Sequence, residues 1–149
     1  MGGDYFDFLP LPSGRLVALL GDVSGKGVPA ALLMSHLQAS LHANARDGLA
    51  AHEILAAMDR LLYSSIESGR FATCFLAILD PANNRFHYCN AGHNPAILVR
   101  RGERELLEST GVPLGLLPAS QYHDGERPFE PGDLLFIYSD GITECLHKG

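Results

Sequence analysis

The stretch "LLGDVSGKGVPAALL", Leu19 to Leu33, decides how this chain is read. The aliphatic run Leu16 to Leu20 predicts a buried strand, and it leads straight into a carboxylate, Asp22. A glycine-spaced turn follows, then a second apolar run of helical character. An ionised carboxylate at the edge of a core costs several kcal/mol, of order ~2–7, unless something pairs with it. Asp22 therefore needs a partner, and the rest of the chain must supply it.

Upstream, Tyr5 to Leu11 predicts a strand, Pro12 to Gly14 its turn, and Arg15 to Gly21 the antiparallel return. That hairpin delivers Asp22 to one end of a sheet. Downstream, Ala30, Leu33, Met34, Leu37 and Leu41 keep a helical period from Pro29 to Ala43, with Pro29 in a favoured first-turn position. Ala31 and Leu32 widen the stripe, which predicts a heavily buried helix. A second helix is expected over about Ala50 to Ser65, carrying Ile54, Leu55, Met58, Leu61 and Leu62 on one face. Beyond it the grammar changes. "FATCFLAILD", "NRFHYCNAG", "PAILVRRG" and "DLLFIYSDG" are short, β-rich and separated by Pro, Asn and Gly, as in an antiparallel meander. The class is α+β.

The 149 residues fit a single domain, spanning 1-149, with enough chain to bury a real core. A formal net charge of -6, with no basic cluster larger than Arg100–Arg101, excludes a general nucleic-acid binder. Cys74, Cys89 and Cys145 are an odd count without CxxC spacing and read as small buried hydrophobes. No apolar stretch approaches the ~20 residues of a membrane span, so the chain is expected to be cytoplasmic.

Two misreadings of "GDVSGKG" fail on spacing. A phosphate-cradling P-loop would need glycine where Leu20 stands and Ser or Thr where Gly27 stands. A nucleophile elbow around Ser24 would need glycine in place of Asp22. A repeated design carries more weight. "LVALLGDVSG" and "LLFIYSDGIT" each run a hydrophobic strand into an Asp with glycine close by, Asp22 and Asp140. Either Asp alone reads as a cap for the element after it. Together, on two strands of one core, their like charges converge only around a cation. Oxygen-only ligands favour magnesium or manganese.

The segments "GGDYFDFLPLPSGRLVALLGDVSGKGVPAALLMS", "NAGHNPAILVRR", "TGVPLGLLP" and "PGDLLFIYSDGITE" occur in that order along nearly the whole chain. They resemble the consecutive motifs of the SpoIIE/RsbU branch of metal-dependent (PPM, type-2C-like) serine/threonine protein phosphatases. The resemblance implies an αββα sandwich, two antiparallel sheets flanked by helices. It also implies two bound ions, Mn2+ or Mg2+. Asp22 would bridge them, the Val23 carbonyl would assist one and Asp140 would bind the other. Asp4 would hold metal-bound water, and Gly141 would let the backbone approach closely. Asp22, Asp140 and Asp4 are thus the expected catalytic set, with water rather than a side chain as nucleophile.

Against that family pattern the chain lacks the strand that usually precedes "GGD" and the C-terminal Asp-Asp metal motif, so the domain is expected to be truncated at both ends. Ser24 replaces the histidine of the type-2C "DGHG" signature. The implied substrate is phosphoserine or phosphothreonine on a small anti-anti-sigma protein of the STAS type, in a bacterial partner-switching pathway. An upstream sensor or receiver domain and a homodimer are further expected partners. The competing expectation is a non-catalytic module, or inactive fragment, that keeps the fold and binds regulatory partners. Lys26 reads equally as a steering cation and as a solvated turn residue, while His93 and Asn94 are expected to stabilise a turn.

Overall fold

A computed structural model describes residues 3–65 and 69–143 of the chain. The fold opens with a hairpin, β1 (Asp4–Pro10) and β2 (Leu16–Val23), followed by two helices, α1 (Val28–Asn44) and α2 (Ala51–Ser65). Six strands come next: β3 (Ala72–Asp80), β4 (Arg85–Ala91), β5 (Ala96–Arg100), β6 (Glu103–Leu107), β7 (Gly125–Pro128) and β8 (Leu134–Phe136). A single helical turn, α3 (Asp140–Thr143), comes after β8.

The strands form two antiparallel sheets, one in the order β1-β2-β3-β4-β7 and one in the order β6-β5-β8. Alternation along the strands makes the larger sheet two-faced. Val17, Leu19, Cys74, Leu76 and Cys89 face the helices and join Leu33, Leu37, Leu41, Ile54, Leu55, Met58 and Leu62 in one core. Phe75, Ala77, Phe86 and Tyr88 face the smaller sheet and pack with Ala96, Leu98 and Leu107 in a second. Each fully buried Leu or Phe side chain is worth about 1.5–3 kcal/mol over exposure, so both layers hold by apolar burial.

Among the described residues the helices back the five-stranded sheet alone. The smaller sheet covers β3 and β4 but not the hairpin, where Phe6 and Phe8 stand 68% and 61% exposed. Three local expectations need correction. Leu32 is 60% exposed and Ala31 lies with it on the solvent side, so the buried stripe of α1 is only Ala30, Leu33, Leu37, Ser40 and Leu41. Asp22 does not follow β2 but lies within it, because its backbone still pairs with Asp4 and Thr73 on the flanking strands. The strand expected in "DLLFIYSDG" spans only Leu134–Phe136, and Asp140 begins the turn of α3. Cys74 and Cys89 are buried as expected, while Cys145 lies outside the described residues.

Candidate metal centre

The β1–β2 hairpin has a register that puts Asp4 opposite Asp22, and β3 continues the same row with Thr73. All three side chains therefore leave the sheet on the face turned toward the second sheet. From that second layer, the segment after β8 brings in Asp140. Carboxylate oxygens of Asp4, Asp22 and Asp140 lie within 4.8 Å of one another. They open into a cleft of about 540 Å³ whose walls include Val23, Ser24, Lys26, His93, Asn94 and Gly141. Sequence placed these three acids together, and the structure brings them together.

Close backbone packing shapes this end of the hairpin. The Val23 amide donates to the Gly3 carbonyl at 3.1 Å. A Cβ on Gly3 would fall 2.7 Å from the Val23 carbonyl oxygen and 2.9 Å from Asp22 Oδ1, so only glycine fits against both groups. At Gly141, by contrast, a Cβ would meet nothing nearer than Ser139 Oγ at 3.7 Å. Ser24 holds the turn in place: its Oγ accepts from the Phe71 amide at 3.0 Å, and its own amide donates to the Phe71 carbonyl at 2.9 Å.

Several residues of the site were not singled out in the sequence. Ser139 Oγ donates to Asp4 Oδ2 at 2.7 Å, joining β1 to the Asp140 segment. His93, expected only to steady a turn, is 6% exposed and lines the cleft. Its Nδ1 lies 2.9 Å from Thr73 Oγ1 and its Nε2 3.0 Å from the Tyr138 carbonyl oxygen. A carbonyl only accepts, so Nε2 carries a proton, and in the neutral ring Nδ1 accepts from the threonine hydroxyl. Burial pushes the His93 pKa down, opposed by the Tyr138 carbonyl and the charges of Asp4 and Asp140. Beneath it, fully buried Asn90 accepts from the His93 amide at 2.8 Å and donates to its carbonyl at 3.1 Å. Sequence offered one clue, the "NAGH" spacing. The partners, Thr73 and Tyr138, lie too far along the chain to be read from it.

Three converging carboxylates without nitrogen or sulphur suit a hard divalent cation, which takes oxygen ligands and relieves their mutual repulsion. The donor set thus fits magnesium or manganese.

A helix-backed sheet facing a second antiparallel sheet, with acids gathered at one end, is the architecture of PP2C-type phosphatase domains. The PP2C phosphatase domain of SpoIIE from Bacillus subtilis superposes with a TM-score of 0.82 at 20% identity, over 95% of this chain and 42% of that one. The RsbU and RsbW domains of Rv1364c from Mycobacterium tuberculosis match with a TM-score of 0.81 at 36% identity, over 97% of this chain and 41% of that one. The family model for Stage II sporulation protein E (SpoIIE) matches residues 12–149, and the chain belongs to that family. Phosphoserine phosphatase RsbU of Bacillus subtilis is 31% identical over 147 residues, covering 97% of this chain and 44% of the relative. The chain thus spans less than half the length of that relative. Among the described residues no helix is long and apolar enough to cross a membrane.

Proposed function

We propose that this domain hydrolyses phosphoserine or phosphothreonine on a small regulatory protein, an anti-anti-sigma protein of the STAS type, within a partner-switching pathway. The observation that carries the reading is the convergence of Asp4, Asp22 and Asp140 in one open cleft. Membership of the SpoIIE family and the phosphoserine phosphatase RsbU support the substrate class. Asp22, central in the row, would be shared between two Mn2+ or Mg2+ ions. Asp140 would hold one of them, with the Val23 carbonyl beside the other and Asp4 placing water. Bound there, the ions would supply Lewis acidity toward the phosphoryl oxygens and lower the pKa of water.

The chain's own residues do the rest. Ser139 fixes one oxygen of Asp4, which limits the directions in which that carboxylate can turn. Ser24 accepts from the Phe71 amide, a contact that ties its hydroxyl to the turn. Lys26 sits on the rim, where its charge draws a phosphate dianion toward the acids. In the full-length protein, a sensor or receiver domain would decide when the site works, and a homodimer would be one way to relay that signal.

The test is release of phosphate from a phosphorylated STAS protein by the full-length enzyme, with and without Mn2+. Enzymes accelerate phosphate monoester hydrolysis by up to ~10²¹-fold, so losing a shared ligand should be catastrophic. Asp22→Asn is expected to abolish Mn2+-dependent turnover while leaving the melting temperature near wild type. Near-wild-type turnover would remove Asp22 from its assigned place.

A further inference from the structure

Asp4 and Asp22 belong to the larger sheet, whereas Asp140 rides on a segment of the second layer. The distance between the two groups is therefore set by whatever joins the layers at this end. β8 cannot set it, because it stops at Phe136, short of Asp140. Among the described residues, side-chain links cross the gap, two of them close to the acids. One is Ser139 Oγ to Asp4 Oδ2 at 2.7 Å. The other is His93, whose ring touches Thr73 of β3 on one side and the Tyr138 carbonyl on the other.

We infer that His93 is a positioning residue: by bridging Thr73 and the Tyr138 carbonyl it fixes Asp140 against the Asp4–Asp22 pair at the spacing a divalent cation requires. The inference rests on the metal reading of the cleft and adds a residue to it. Thr73 is the register partner of Asp22, so the ring is anchored to the same cross-strand row as the acids it serves. Asn90 grips both the amide and the carbonyl of His93, which removes the backbone freedom that would let the ring swing. Tyr138 is two residues from Asp140, leaving little chain in which an error could be absorbed. Partners that orient ligands in this way typically contribute about 10- to 100-fold to metal affinity.

The experiment measures two quantities on the full-length protein. Calorimetric Mn2+ titration gives affinity, and hydrogen exchange gives the protection of residues 137–140. His93→Ala is expected to weaken Mn2+ binding by about 10- to 100-fold and to speed exchange in that segment while the helices keep theirs. His93→Gln, whose amide can still donate to the Tyr138 carbonyl, should recover part of both. Thr73→Val, which leaves the ring in place, should give a smaller change in the same direction and carries the test should His93→Ala fail to fold. A purely structural role would lower the melting temperature without moving Mn2+ affinity or segment exchange, and that result would overturn the inference. Wild-type protein that binds no Mn2+ would instead sink the metal reading, with the exchange arm still deciding whether His93 holds the segment.

Discussion

Lys26 is the one lysine or arginine among the described residues that line the cleft, and it stands between Gly25 and Gly27, both at positive φ. A charge so exposed acts on encounter more than on chemistry. Replacing it with glutamine should raise KM for the phosphorylated protein about two- to fivefold, the scale of an exposed charge pair at ~0.5–1 kcal/mol. The value of kcat should hold, and the salt dependence of kcat/KM should flatten. A fall in kcat alone would place the amine at the reacting phosphoryl group instead. Gly3 gives a steric counterpart. An added methyl at Gly3→Ala would press on the Val23 carbonyl and on Asp22 Oδ1, so the Mn2+ concentration for half-maximal activity should rise. Unchanged metal dependence would show that the hairpin shifts to make room.

Among the elements, β1 and α1 are tied by one carboxylate. The Tyr5 hydroxyl donates to Asp7 Oδ2 at 2.6 Å, and His42 Nε2 from α1 lies 2.6 Å from the same oxygen. The tyrosine hydrogen bond is the main influence holding the Asp7 carboxyl below its usual range, with His42 adding to it. A carboxylate depressed on folding contributes stability above its unfolded pKa, near ~4, and loses it as pH falls through that value toward the folded one. Asp7→Asn should therefore melt below wild type at neutral pH, with the gap closing under acid. A gap that stays constant down to strong acid would show that the tie is not ionic. None of this was visible in the sequence, since Asp7 and His42 are 35 residues apart. The long apolar elements were legible: both helices and the strands β1 to β5 fall where hydrophobic periodicity puts them. "ERELL" and "GERP" were not, because β6 and β7 are short, charged and largely exposed, so no alternation marks them. Leu32 misled for the opposite reason, being apolar on a helix face that meets no neighbouring layer among the described residues.

On the scale of the whole molecule, two cores and one uncovered face divide the phenylalanines into classes that composition cannot distinguish. Phe75 is fully buried between the sheets, stacked on Tyr88 at 5.5 Å between ring centroids. Phe75→Ala should cost about 3–5 kcal/mol in chemical denaturation. Phe6 points from the same face of the same sheet but beyond the second layer, and its ring meets Phe8 edge to face at 6.4 Å between centroids. Phe6→Ala should change stability by under about 1 kcal/mol. Equal costs for the two would mean that the hairpin face is covered in solution. The candidate site was legible at this scale only in part. Hydrophobic strands leading into Asp22 and Asp140 announced themselves, whereas Ser139, Thr73 and Asn90 act through contacts that only the folded chain creates.

Ser139 and Asp4 are 135 residues apart, and their hydrogen bond joins the first strand to the last segment of the described fold. During synthesis Asp4 and Asp22 leave the ribosome before the two long helices, whereas Asp140 follows only after the eight described strands. A nascent or prematurely terminated chain that stops short of Asp140 would therefore lack one of the three acids that meet in the cleft. On the proposed reading of the cleft, chain order alone would keep an unfinished product silent until its third acid has arrived.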